Sequence, residues 1–137
     1  MKLEDTILED TLVLQRWIDA DLEHAGGYAI WWMTGNGLLC FKVTDSKGPI
    51  CFVRLNKPDA NNRVAIHTQF APREDVSKIR LLKGMLWCLP IVINFAREKS
   101  KGLVFTSTSE TLINFMKIKF SFISTGNDNY VLDFEVV

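Results

Sequence analysis

Apolar positions over the first 25 residues recur at mostly helical spacing. Leu8, Leu12, Leu14, Trp17, Ile18 and Leu22 fit one face of a helix from Leu8 to about His24, and Gly26-Gly27 supplies its stop. Beyond the glycines the period changes. Tyr28–Met33 reads as a strand, Gly35-Asn36-Gly37 as a tight turn and Leu38–Thr44 as a second strand, so a hairpin is expected. Asp45–Gly48 turns the chain into a strand over Pro49–Leu55, and the polar stretch Asn56–Arg63 leads into another over Val64–Phe70. Leu38–Phe70 is then an antiparallel meander. In its last strand, alternation puts Val64, Ile66, Thr68 and Phe70 on one face and Ala65, His67 and Gln69 on the other. Neither face is wholly apolar, which suits a strand with one side near a ligand.

A helical pattern follows from Val76 to about Lys99, with Val76, Ile79, Leu82, Leu86 and Leu89 on one side. Pro90 lies inside it and removes a backbone donor, so the pattern predicts a kink near Trp87–Pro90 or a break into two helices. Ser100-Lys101-Gly102 ends this helix and Leu103–Thr108 reads as a strand. Ser109-Glu110 caps a short helix running to about Ile118. Phe120–Thr125 and Tyr130–Val136, on either side of Gly126–Asn129, read as a closing hairpin.

With 137 residues, 47% of them hydrophobic, the chain is expected to be one domain, 1–137, with a sizeable core. Sixteen basic and sixteen acidic residues cancel, so there is no global field to attract nucleic acid or anionic lipid. No apolar run approaches the ~18 residues a membrane span needs. Cys40, Cys51 and Cys88 are scattered, each within an apolar run, and read as buried thiols of a reducing, cytoplasmic protein. Two histidines and three scattered cysteines have no metal-ligand spacing, so no metal is expected. There is no nucleophile elbow, Walker loop or dinucleotide fingerprint. The polar turn Ala71–Asp75 precedes the long helix, whose first N–H groups suit an anionic ligand.

Two segments sharpen this picture: Phe95-Ala-Arg-Glu-Lys-Ser-Lys-Gly-Leu-Val-Phe105, and Phe115-Met-Lys-Ile-Lys-Phe-Ser-Phe122. With the order of elements, they make Leu38–Val136 resemble the GNAT superfamily of acyl-CoA-dependent N-acetyltransferases. The second segment is similar to the family's short helix leading into a lysine, apolar, glycine, phenylalanine strand start. Lys119, Phe120 and Phe122 are in place, and Ser121 stands where glycine is usual. The resemblance implies an α/β (α+β) fold with a mixed, largely antiparallel sheet flanked by helices on both faces. It also implies acetyl-CoA as co-substrate and a small-molecule or peptide amine as acceptor.

In that family a Gln/Arg-x-x-Gly-x-Gly/Ala loop at the long helix holds the CoA pyrophosphate. The matching run Arg73-Glu74-Asp75-Val76-Ser77-Lys78 has Val76 and Lys78 at the glycine positions. Two readings follow. Lys78 and Arg80 substitute charge for the lost backbone access; or Val76 obstructs the loop and Glu74 and Asp75 repel phosphate, leaving a catalytically silent binding or regulatory module. The acidic pair also suits the first turn of the helix. The cofactor site implied by the resemblance comprises Thr68, Gln69 and Phe70 of the strand with Val76, Ser77, Lys78, Ile79 and Arg80 of the helix start. Acetyl transfer needs a base. His67 is the first candidate and Glu110 the second, while Gln69 is placed to orient a water. Lys117 stands where many relatives carry a tyrosine acid, and Tyr130 is the remaining tyrosine within reach. Trp31-Trp32 and Thr106–Ser109 are further candidates for pocket lining. Relatives commonly place a strand and two helices before the meander, whereas one helix is read here. A missing first strand would leave an open edge and favour a homodimer.

Overall fold

The computed structural model describes residues 1–35 and 37–134. Its elements are β1 (Lys2–Asp5), α1 (Asp10–Ala20), α2 (Ala29–Met33), β2 (Gly37–Asp45), β3 (Gly48–Asn56), β4 (Arg63–Phe70), α3 (Lys78–Lys99), β5 (Gly102–Thr106), α4 (Glu110–Phe120), β6 (Ile123–Gly126) and β7 (Asn129–Asp133). The strands form one sheet in the order β1-β2-β3-β4-β5-β7-β6. Every neighbouring pair is antiparallel except β4 and β5. Helices cover both faces. Trp17 of α1 meets Phe52 of β3 edge-on at 5.2 Å on one side, and α3 packs against β2, β3 and β5 on the other. This is the mixed, largely antiparallel α/β architecture the resemblance implied.

β3 is sandwiched: Ile50 to Leu55 are all buried, because alternate residues meet opposite helical layers. α3 lies so close to it that a Cβ on Gly84 would run into Ile50 Cδ1. By length and apolar composition α3 would pass for a membrane span, but its buried stripe of Gly84, Met85, Cys88, Leu89, Val92 and Ala96 is spent on the sheet. Cys51 and Cys88 are buried free thiols and Cys40 is half-buried. Burial pushes Cys88 up to about 12 and raises the other two as well.

Several local expectations are corrected. Tyr28–Met33 is not a strand; Ala29–Met33 forms the one-turn helix α2, burying Ala29 and Trp32 at a spacing of three. Its β-branched and aromatic residues favour a strand, but tertiary contacts prevail. The Arg54 guanidinium donates to the carbonyls of Trp31 and Thr34, capping the turn. The expected hairpin is therefore absent, and Asn36 of its turn lies outside the described residues. The partner of β2 is instead β1, paired from Lys2↔Thr44 to Asp5↔Phe41. A strand and two helices thus precede the meander, and the open-edge argument for a homodimer falls away. β1 itself is a short, charged edge strand of the kind that resists further pairing.

The first helix ends at Ala20 rather than His24, with Asp21 extended at φ −102° and ψ 116°. α3 begins at Lys78, two residues late, with Ser77 as its N-cap. It runs unbroken through Pro90, because Pro90 and the Leu86 whose carbonyl it deprives both lie on the exposed side, open to water. α4 runs on through Phe120, so the strand after it starts at Ile123. Ser121, in the usual glycine place, adopts φ 64° and ψ 28° as the left-handed cap that residue type favours. β7 is described to Asp133; the end of the expected strand, Glu135-Val136, lies outside the described residues.

Candidate functional site

The site originates in the one parallel pairing. β4 and β5 are joined at Arg63↔Gly102, Val64↔Leu103 and Ala65↔Val104, and there the ladder stops. β4 continues to Phe70 paired only with β3, and β5 to Thr106 paired only with β7. Beyond Ala65 and Val104 their facing edges carry backbone N–H and C=O groups with no strand partner. A cavity of about 270 Å³ fills the gap. Ile66, Thr68 and Phe70 line it together with His67, so both faces of β4 contribute and the opening passes through the sheet. Phe105, Thr106, Ser107 and Ser109 form the opposite wall. On the α3/α4 side it is closed by Met85, Leu112 and Met116, and on the α1/α2 side by Asp21, Glu23 and His24.

A second cavity of about 230 Å³ adjoins the first and shares Phe70, Met85, Ser109 and Leu112 with it. It lies between the starts of α3 and α4 and is flanked by Arg73 and Lys78. The cleft is thus cationic at this end, whereas its α1 end carries two carboxylates and no Lys or Arg among the described lining residues. The loop leading into α3 is closed on itself. The N–H groups of Asp75 and Val76 both donate to the Pro72 carbonyl, at 2.9 and 3.0 Å, and the Val76 side chain is buried. Asp75 pairs with Arg16 at 3.2 Å and lies before the helix rather than in its first turn.

At the other end two histidines are held by separate amide relays. Arg54, buried in β3, donates from Nε to Asn56 Oδ1 at 2.7 Å, and the guanidinium lies 3.9 Å from the Trp31 ring centroid. A guanidinium only donates, so Asn56 must turn its NH₂ toward His67, whose Nε2 lies 3.2 Å away. His67 therefore accepts at Nε2 and carries its proton on Nδ1. Burial, followed by the nearby Arg54 and His24, pushes His67 down to about 4. His24 is arranged differently. Gln69 Nε2 faces three acceptors, Asp21 Oδ2 at 3.1 Å, the Phe70 carbonyl at 3.1 Å and the Trp17 carbonyl at 3.4 Å. Its Oε1 must then meet His24 Nδ1, 2.6 Å away, and that nitrogen donates. The Asp21 carboxylate stands 3.4 Å from the same nitrogen.

Of the residues nominated from sequence, Thr68, Phe70, His67, Thr106, Ser107 and Ser109 line the cleft and Lys78 lines the adjoining cavity. The others are placed elsewhere. Gln69 is 1% exposed on the α1 side, engaged with Asp21 and His24 rather than with any ligand space. Val76 is core, Ser77 is the helix cap and Ile79 is exposed to solvent. Arg80 is committed to Asp45 through two hydrogen bonds of 2.7 Å, which hold the Asp45 carboxyl down at about 2. Glu110 is exposed at the start of α4 and is not among the lining residues. Lys117 is exposed, while Met116 occupies the cleft beside it; Tyr130 stacks on Phe105 at 5.2 Å. Sequence reasoning missed Asp21, Glu23 and His24. Counting them into α1 hid the turn, held by His24 and Ala25 N–H groups on the Asp21 carbonyl, that carries them to the cleft. The available signal was that His24 is one of only two histidines in the chain. Among the described residues, no three His, Cys, Asp or Glu side chains converge as a metal site would require.

No protein-family model and no curated sequence matches the chain. Solved structures match it over nearly their whole length. An acetyltransferase of the GNAT family from Staphylococcus aureus superimposes with a TM-score of 0.68 at 13% identity, covering 96% of this chain and 98% of that one. A spermidine N-acetyltransferase chimera from Vibrio cholerae and hSSAT gives 0.69 at 12% identity, covering 97% and 96%. A GNAT-family acetyltransferase from Brucella melitensis, in complex with acetyl-CoA, gives 0.58 at 10% identity, covering 98% and 88%. The fold is the GNAT fold.

Proposed function

We propose, from a GNAT fold with an open β4/β5 cleft, that this chain is an N-acetyltransferase passing the acetyl group of acetyl-CoA to a small amine. The carrying observation is the parting of the strands beyond Ala65 and Val104, with a cavity through the sheet at that point. Unpaired strand edges offer hydrogen bonds to an extended amide chain, so the β4 edge from Ile66 to Phe70 would hold the pantetheine arm of the co-substrate. Arg73 and Lys78 flank the adjoining cavity and would hold phosphate by charge. The co-substrate supplies an acyl group activated as a thioester. The chain's own contribution is to exclude water with Ile66, Phe70, Met85, Phe105 and Met116. It attracts an ammonium to the end that carries Asp21 and Glu23. The structures of spermidine N-acetyltransferase and of a GNAT enzyme with acetyl-CoA support this reading at the level of the fold.

The closed loop at Pro72–Val76 and the exposed Lys117 favour a second reading, a GNAT-fold binding module without catalysis. Incubation with acetyl-CoA and a panel of primary amines, with thiol release and product mass followed together, separates the two. Amine-dependent release of CoA with a matching acetylated product is the expected result. Binding of acetyl-CoA without release under any amine supports the silent module.

A further inference from the structure

We propose that His24, not His67, is the base of the cleft, and that its unprotonated Nε2 faces the acceptor; this rests on the N-acetyltransferase reading above. The two histidines are fixed in the same tautomer by different relays, with opposite consequences. At His67 the Arg54–Asn56 relay delivers an N–H to Nε2, so the lone pair is used and the cleft is offered at most a donor. At His24 the Gln69 carbonyl accepts the hydrogen bond from Nδ1–H, so the lone pair on Nε2 is left for the cavity the ring lines. Gln69 is itself held by Asp21 and by the Trp17 and Phe70 carbonyls, so it has no freedom to flip.

The surrounding charges favour the same assignment. Asp21, 3.4 Å from His24 Nδ1, and Glu23 line the cavity beside His24 from the turn after α1, and their carboxylates attract an incoming ammonium to that end. His67 from β4 is neutral beside it, Arg54 lies behind His67, and Trp32 of α2 packs edge-on at 5.9 Å without charge. In the transfer, Nε2 takes one proton from the acceptor ammonium, and the freed nitrogen pair forms the bond to the acyl carbon. The carbon–sulfur bond breaks with its electrons on sulfur, and the second nitrogen proton passes to the thiolate. The products are the amide and the thiol, and the proton on His24 returns to solvent. His24 is then a catalytic residue, with Gln69 and Asp21 as positioning residues.

The test begins on the free chain, whose only histidines are these two. Diethyl pyrocarbonate acylates an available imidazole lone pair, and peptide mass mapping at neutral pH should show His24 modified at least roughly tenfold faster than His67. Two-bond proton–nitrogen correlation spectra should show both rings as the Nδ1–H tautomer, and Gln69→Met should shift only His24 toward Nε2–H. Faster acylation of His67, or an Nε2–H tautomer at His24 in the unmutated chain, overturns the assignment whether or not any amine is acetylated. With the amine from the panel that turns over fastest, His24→Gln should lower kcat by roughly 10²–10⁴ and remove the acid limb of the pH profile. His67→Gln should retain that limb. An acid limb that survives in His24→Gln also overturns the assignment. If no amine reacts, the transferase reading fails, and the acylation and tautomer measurements still decide which histidine holds the free lone pair.

Discussion

The opening between β4 and β5 and the loop at the start of α3 are a few residues apart, yet they have opposite characters. The opening is made by topology. Two parallel strands stop pairing after Ala65 and Val104, and no particular side chain is needed to keep their backbone edges apart. The loop depends on residue type, because backbone access to a phosphate requires that no side chain intervene. Here a buried Val76 and two N–H groups turned onto the Pro72 carbonyl close it. This difference explains how the fold persists at 10–13% identity to solved acetyltransferases while the loop before α3 departs from the glycine pattern that the resemblance implies. On the proposed acetyl-CoA reading, the nucleotide end is left to side-chain charge rather than to backbone.

The largest effect should come from closing the opening. Thr68→Trp places an indole in the 270 Å³ cavity and is expected to weaken acetyl-CoA binding by roughly a hundredfold or more in calorimetry, with the fold retained by circular dichroism. Unchanged affinity would place the ligand elsewhere. Next is the loop itself. Val76→Gly removes a buried side chain and should cost about 2 kcal/mol of stability in urea titration. It should not tighten acetyl-CoA, because the Asp75 and Val76 N–H groups stay on Pro72. Tighter binding would show that the valine alone had been the obstruction.

A smaller effect is expected from charge. Arg73→Ala with Lys78→Ala should weaken acetyl-CoA about tenfold while leaving S-acetylpantetheine unaffected. An equal loss for both ligands would mean that the two cations support structure rather than phosphate. A further contrast is in pH. His67 sits at about 4 when folded against 6.5 as its ordinary value, so between these values the unfolded chain binds a proton that the folded chain refuses. Its contribution to stability is complete above 6.5 and is lost as pH falls toward about 4. His67→Gln should flatten that part of the stability profile, and an unchanged slope would mean His67 is not held neutral.

Strong periodic segments were legible in the sequence. The β2–β3–β4 meander, α3, α4 and the closing hairpin follow from alternation, helical spacing and turn residues, and Ser109 caps α4 as its sequence suggests. The elements misread are short ones whose structure comes from distant partners. β1 is four largely exposed residues defined by pairing with Leu3↔Val43 and its neighbours, and α2 is an aromatic turn capped by Arg54 from β3. The same limit applies to the site. Thr68, Phe70 and His67 were reachable because the strand that carries them is legible and the resemblance places that strand beside the co-substrate. Gln69 and Arg80 were nominated by position, and their commitments to Asp21, His24 and Asp45 are long-range contacts with no local signal. His24 reaches the cleft because α1 ends four residues earlier than its apolar pattern does.

The most direct test of the central claim is calorimetric titration of the unmutated protein with acetyl-CoA and, separately, with S-acetylpantetheine. An open cleft with a charge-based nucleotide end predicts that both bind and that acetyl-CoA is tighter, by roughly tenfold. Absence of heat with either ligand at millimolar concentration would contradict it, showing that the gap between β4 and β5 does not hold the co-substrate of the fold.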